Sequence, residues 1–194
     1  MRIIGGTYRG KKLFSPLNDN IRPTADKARQ ALFNILDTNY INDWNKVFLA
    51  DIFSGTGAFA FEAVSRGAKG VVLVDIDIKT SAKNALLFPN EKNKIRLIKS
   101  DVSKIPAPRQ TFAVIFCDAP YHQGLSEKAI AAVLNKKWLA DDGVLIVETA
   151  SDEKLLIPDE LQLIEERRYG IAAFHFLQHK KTQNTSSLAK AEIV

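Results

Sequence analysis

The sequence predicts an α/β fold of Rossmann-like type: a mostly parallel seven-stranded sheet closed by an antiparallel hairpin, with a small N-terminal β-hairpin and helix as an extension. Three observations carry that prediction. From residue 47 onward, near-continuous apolar runs alternate with helix-patterned segments, as in a parallel sheet covered on both faces. A glycine-bearing turn, Asp51 to Gly57, follows the first of these runs and opens a helix. The last two runs flank Tyr169-Gly170, a spacing that suits a hairpin.

Each element follows from a local pattern. Residues 2 to 14 read as two short strands around Gly5 and Gly6. Asn18-Asp19-Asn20 reads as a turn. Thr24 reads as the cap of a helix to about Thr38, because Ala28, Leu32, Ile35 and Leu36 share one face. Val47 to Ile52 is a buried strand and Gly57 to Arg66 a helix. Val71 to Val74 and Ile78 to Leu87 are the next strand and helix. Strands follow at Ile95 to Ile98, Phe112 to Phe116 and Val144 to Val147, with a helix at Leu125 to Lys137 before the last. Leu161 to Arg168 and Ala172 to Gln178 form the closing hairpin. Residues 1–40 thus read as an N-terminal extension and 41–179 as the main domain. Residues 180–194, polar and aperiodic, read as a flexible tail.

With 194 residues, 46% of them hydrophobic, the chain fits one domain with a filled core. Its single cysteine, Cys117, excludes an internal disulfide. MRIIGGTYRG lacks the apolar stretch of a signal peptide, and no run is long enough to span a membrane. A cytoplasmic monomer is expected. The net charge is +5, and residues 1 to 40 hold most of it: Arg2, Arg9, Lys11, Lys12, Arg22, Lys27 and Arg29 stand against Asp19, Asp26 and Asp37. A basic arm on a near-neutral domain suits a polyanionic partner, and equally a solvated surface.

Ligands of open parallel sheets bind beyond the C-terminal strand ends, near the point where strand order reverses. The segment Asp51-Ile52-Phe53-Ser54-Gly55-Thr56-Gly57 stands at such an end, its glycines allowing a ligand close to the backbone. Asp51 can face a cationic amino group. Asp75, followed by Ile76, can accept from ribose hydroxyls. Asp101 can accept from an adenine amino group while Val102 packs on the ring. Gly55, Gly57 and Ala60 also satisfy the dinucleotide pattern, but Asp51 would then face a pyrophosphate and little chain would remain for a substrate domain.

The strand from Phe112 ends in Asp118-Ala119-Pro120-Tyr121. An exocyclic amine on a nucleobase is a poor nucleophile, because its lone pair is delocalised into the ring. Acceptors on its hydrogens favour a more tetrahedral nitrogen. Asp118 can supply one acceptor and the carbonyl of Ala119 a second, held by Pro120. Tyr121 can stack on an extruded base. The bland alternative is a strand ending in a proline turn. Cys117 lies inside the apolar strand, so a core thiol is expected rather than a nucleophile. His122, His175 and His179 show no metal-ligand spacing, and no metal is expected.

On these residues the chain resembles the bacterial small-subunit ribosomal-RNA guanine-N2 methyltransferases of the RsmD type. The resemblance runs from Met1 to about Gln178. It is carried by Arg2-Ile3-Ile4-Gly5-Gly6, Arg9-Gly10-Lys11-Lys12-Leu13, Arg22-Pro23-Thr24, Lys27-Ala28-Arg29, Ala31-Leu32-Phe33-Asn34, Asp51 to Gly57 and Asp118 to Tyr121. It implies a class I methyltransferase fold and S-adenosylmethionine as donor. It also implies a guanine N2 of 16S RNA as acceptor, on a small subunit bare or carrying ribosomal proteins. The N-terminal hairpin, with Arg2, Arg9, Lys11, Lys12, Arg22, Pro23, Thr24 and Arg29, is then expected to hold RNA. Two departures stand out: Ala119 replaces the first of two usual prolines, and Asp75 a usual glutamate. Methylation of DNA adenine or of a protein amide, and a non-catalytic RNA-binding assembly factor, remain as alternatives.

Overall fold

Short apolar runs with no polar alternation suit strands buried on both faces, and the central strands of this computed structural model are built from them. Residues 1–15 and 23–181 are described, apart from the side chains of 23–25. The expected Asn18–Asn20 turn, Arg22 and the 182–194 segment lie outside the described residues, as do the Pro23 and Thr24 side chains.

Seven strands run in the order β3-β2-β1-β4-β5-β7-β6. They are β1 (Phe48–Ile52), β2 (Gly70–Asp75), β3 (Ile95–Lys99), β4 (Phe112–Asp118), β5 (Leu139–Ala150), β6 (Leu161–Tyr169) and β7 (Ala172–His179). β1 to β5 pair in parallel, and β7 inserts antiparallel between β5 and β6. Helices α1 (Pro23–Asn39), α2 (Ala58–Ser65), α3 (Lys79–Ala85) and α4 (Leu125–Asn135) complete the layers. Alternate strand residues feed two cores: Leu49, Leu73, Val114 and Phe116 on one face, Ala50, Val72, Ile115 and Cys117 on the other. Edge strand β6 carries Glu165, Glu166, Arg167 and Arg168, charges that discourage pairing with another chain.

The departures from expectation have local causes. α1 begins at Pro23, so Thr24 sits inside the first turn instead of capping it; proline's fixed φ and missing N–H suit a helix start. β5 extends back to Leu139, with a bulge opposite Phe112 and Val114. Three short 3-10 turns, at Trp44–Lys46, Pro89–Lys94 and Val102–Lys104, carry no apolar period that a sequence could show.

The N-terminal hairpin is narrower than expected. Its two arms form one bridge, Arg2 with Lys12, in place of two short strands, and residues 5–10 form the turn, with Gly5 and Gly6 inside it. It is bound tightly to the sheet layer. Buried Glu62 of α2 accepts the backbone N–H of Ile4 and of Gly5, each at 2.7 Å. A Cβ on Gly6, whose φ is +72°, would stand 1.9 Å from the Ser65 carbonyl oxygen, so only glycine allows this approach. Asn84 of α3, fully buried, accepts from the Phe14 N–H and donates to the carbonyls of Phe14 and Thr56. Ile3 and Leu13 share one core with α1, α2 and the sheet.

Candidate active site

Strand order reverses between β1 and β4, and the cavities open there, beyond the carboxyl ends. One, of about 520 Å³, is lined by Asp75, Ile76, Asp101, Val102, Pro120 and Leu125 among others. A second, of about 430 Å³, is lined by Asp51, Ser54, Arg29, Phe116, Glu148 and Ile171 among others. Phe53, Asp118 and Tyr121 line both. Asp118 therefore stands where two compartments meet.

Each expected donor-side residue has a definite place. Asp75 accepts the Gly55 N–H at 2.8 Å on Oδ2 and the Asp77 N–H at 3.0 Å on Oδ1, so it ties the glycine loop to β2 while lining the first cavity. Asp101 accepts from the Ser103 hydroxyl and amide, which hold its carboxyl below the usual range. Ile76, 67% exposed, offers an apolar wall to the same cavity. Phe53 holds a left-handed φ of +61°, a costly backbone state for a bulky residue, and such strain gathers at functional sites. Gly55 and Gly57 separate in role. A Cβ on Gly55 would meet nothing within 4 Å, whereas one on Gly57 would strike Leu73 and Phe61 at 2.5 Å. Gly57 serves packing of the α2 start, and Gly55 leaves the loop backbone open.

Asp51 belongs to the second cavity. Its Oδ2 accepts the Ala60 N–H at 3.1 Å, and burial raises its pKa well above the carboxylate range, with the charges of Asp118 and Asp75 adding to the rise. The hydroxyl of Ser54, buried, has no partner among the described residues. Thr56 lines the same space.

At the end of β4, Asp118 is open to both cavities yet walled by protein. Desolvation first, and then the charge of Glu148, raise its pKa. The two acids are register partners on adjacent parallel strands. The Tyr121 hydroxyl donates to Glu148 Oε1 at 2.6 Å, which fixes the ring at the boundary between the cavities. Ala119 is buried and lines the first cavity with Pro120. Sequence reading missed Glu148, although it obeys the same signal, an acid closing an apolar strand. Cys117 is buried, and burial pushes its thiol pKa up, as a core thiol requires. His122 lies outside both cavities, its N–H bound to Glu153. Among the described residues no cluster of His, Cys, Asp or Glu could hold a metal ion, and no helix is long and apolar enough to cross a membrane.

The basic residues divide. Arg2 and Arg9 are exposed and line a third cavity of about 530 Å³, with Lys27, Gln30 and Arg66. Lys12 is exposed on the hairpin. Lys11 instead donates to the Leu87 carbonyl at 2.9 Å and sits over the rings of Tyr8 and Phe88. Arg29 is buried, donating to the Arg2 carbonyl and pairing with Asp26. Both were read from sequence as RNA contacts, and both are engaged within the fold. Their charge is spent there because a partly buried cation must find acceptors.

The chain has relatives. The family model described as Conserved hypothetical protein 95 matches residues 1–178. Ribosomal RNA small subunit methyltransferase D of Haemophilus influenzae is 32% identical over 185 residues, covering 92% of this chain and 94% of that protein. The protein of the same name from Escherichia coli K12 is also 32% identical, covering 93% and 90%. Among solved structures, the Escherichia coli protein named "Putative methyltransferase yhhF" superposes with a TM-score of 0.77 at 30% identity, covering 94% of this chain and 99% of that one. The seven-stranded mixed sheet is thus that of the class I methyltransferases. By model and by identity together, the chain belongs to the RsmD-type 16S ribosomal-RNA methyltransferase family.

Proposed function

We propose that this protein transfers a methyl group from S-adenosylmethionine to the exocyclic N2 of a guanine in 16S RNA of the small ribosomal subunit. The observation that carries the reading is the position of Asp118, shared by two cavities at the strand-order reversal. The residues fit such a donor. The open backbone at Gly55 leaves space for it, and the unpartnered Ser54 hydroxyl leaves a hydrogen bond for it. Asp75 would accept from the ribose, Asp101 and Val102 would meet the adenine beside Ile76, and Asp51 would lie at the amino-acid end. S-adenosylmethionine supplies a methyl group on a positively charged sulfur.

The chain's own residues do the rest. Asp118 and the Ala119 carbonyl accept the two amino hydrogens, which turns the nitrogen lone pair toward the donor cavity. Pro120 limits the conformation of Ala119. Tyr121, anchored through its hydroxyl, offers its ring to the extruded base. Once the nitrogen has gained its methyl group, Asp118 is positioned to take the surplus proton. Alignment of the reacting atoms supplies much of the rate. The basic cavity at Arg2, Arg9 and Lys27 would hold the RNA backbone.

The test is methyl transfer from labelled donor to small subunits lacking the modification, with naked RNA, DNA and protein alongside. Asp118→Ala should lose about a hundredfold or more in turnover while its calorimetric affinity for S-adenosylmethionine stays within about twofold. Labelling of DNA or protein alone, or an active Asp118→Ala enzyme, would overturn the reading.

A further inference from the structure

One acid of the cavity that holds Asp51 and Asp118 has no part in the transfer step. Glu148 closes the apolar run of β5 beside Asp118, on strands spaced about 4.8 Å apart. It lines the cavity with Asp118, Tyr121 and Phe116. Its Oε1 is held by Tyr121, while among the described residues nothing donates to Oε2. Glu148 is half-buried, so this second oxygen is open to the cavity and available to a donor on a ligand.

Guanine supplies it, and the other amino-bearing bases do not. Guanine carries N1–H directly beside its exocyclic amino group, so donors stand in a row along one edge. In adenine the ring nitrogen beside N6 is a bare acceptor, and in cytosine so is the one beside N4. Either base would turn a lone pair toward Glu148. We propose that Glu148 is the residue that selects guanine: its oxygen free of Tyr121 accepts N1–H while Asp118 accepts from the N2 amino group. This rests on the reading of the target as a guanine amine. It adds how the same site refuses other amines.

Small subunits assembled on 16S RNA with either guanine or 2-aminopurine at the modified position test it. 2-Aminopurine keeps the 2-amino group and replaces N1–H by a lone pair. The wild type should methylate guanine about tenfold to a hundredfold faster than 2-aminopurine. Glu148→Gln, whose carbonyl still accepts from Tyr121 and whose amide can donate to a ring nitrogen, should bring that ratio close to one, the guanine rate falling and the 2-aminopurine rate holding or rising. Glu148→Asp keeps the charge and withdraws the oxygen; it should slow guanine without any gain on 2-aminopurine. Changes in Asp118 protonation act on both substrates alike, so the ratio at one pH is free of them. A wild type that does not discriminate, or a Glu148→Gln ratio equal to that of the wild type, overturns the assignment of Glu148 alone. A wild type that leaves guanine subunits unmethylated overturns the functional reading with it.

Discussion

Three acids at strand ends look alike in sequence and differ in the folded chain because their surroundings differ. Asp101 keeps its charge through two bonds from Ser103. Asp51 is enclosed, and burial disfavours its ionised form. Asp118 is raised by burial and then by Glu148, and this has a sign that kinetics can read. The acceptor form of Asp118 is the carboxylate, so kcat/KM should fall as pH drops through a pKa above the ordinary carboxylate range and level off above it. Removing the charge at Glu148 takes away the second cause and leaves the first. The acid limb of Glu148→Gln should therefore move to lower pH while staying above that of a free carboxylate. A pH–rate profile on small subunits checks this. A limb fixed in place would mean that Glu148 does not bear on Asp118. The limb's position is separate from its height, which the choice of base governs.

At the level of elements, the sheet was legible because parallel strands buried on both faces must be apolar throughout. All seven strands and four helices stand where the pattern put them, within a few residues at most ends. The length of β5 was not legible, because Asp141-Asp142-Gly143 has the composition of a turn and lies in the bulge between Leu139, which pairs with Phe112, and Val144, which pairs with Val114. The hairpin was half legible. Two glycines announce a turn, but what holds the turn is Glu62, a charged residue in the middle of an otherwise apolar helix. Helix α2 is buried on every side, Glu62 included, because the hairpin covers its outer face. Glu62→Ala would orphan two backbone amides and leave the Arg66 guanidinium, which pairs with Glu62 at 3.2 Å, with Asp37 at 2.6 Å. A buried amide left without its acceptor costs about 1–3 kcal/mol. Denaturant unfolding should show that loss, and the Ile4 and Gly5 amides should exchange faster with solvent. Slow exchange at both amides in the variant would show that the hairpin is held by its apolar contacts instead.

Across the whole molecule, charge and cavities have to be read together. The excess of positive charge in residues 1 to 40 was legible from a count, but a count cannot say which cations face a partner. Lys11 is turned inward by the Leu87 carbonyl, and Arg29 by the Arg2 carbonyl and Asp26; the two carbonyl contacts join residues far apart in the chain. Arg2, Arg9 and Lys27 remain exposed and line one cavity; Lys27 was counted in the basic arm but not among the expected RNA contacts, because a single lysine on a helix carries no pattern. Each phosphate neutralised adds about 0.7–0.9 to the slope of log affinity against log salt. Replacing Arg2, Arg9 and Lys27 by glutamine should therefore weaken binding to small subunits and flatten that slope by about 2–3. Lys11→Met is the contrasting case. It removes an internal hydrogen bond, so it should lower the melting temperature and leave the salt slope as it was. Filter binding from low to moderate salt distinguishes the two variants. If Lys11→Met flattens the slope and the triple variant does not, RNA approaches from the opposite side of the hairpin.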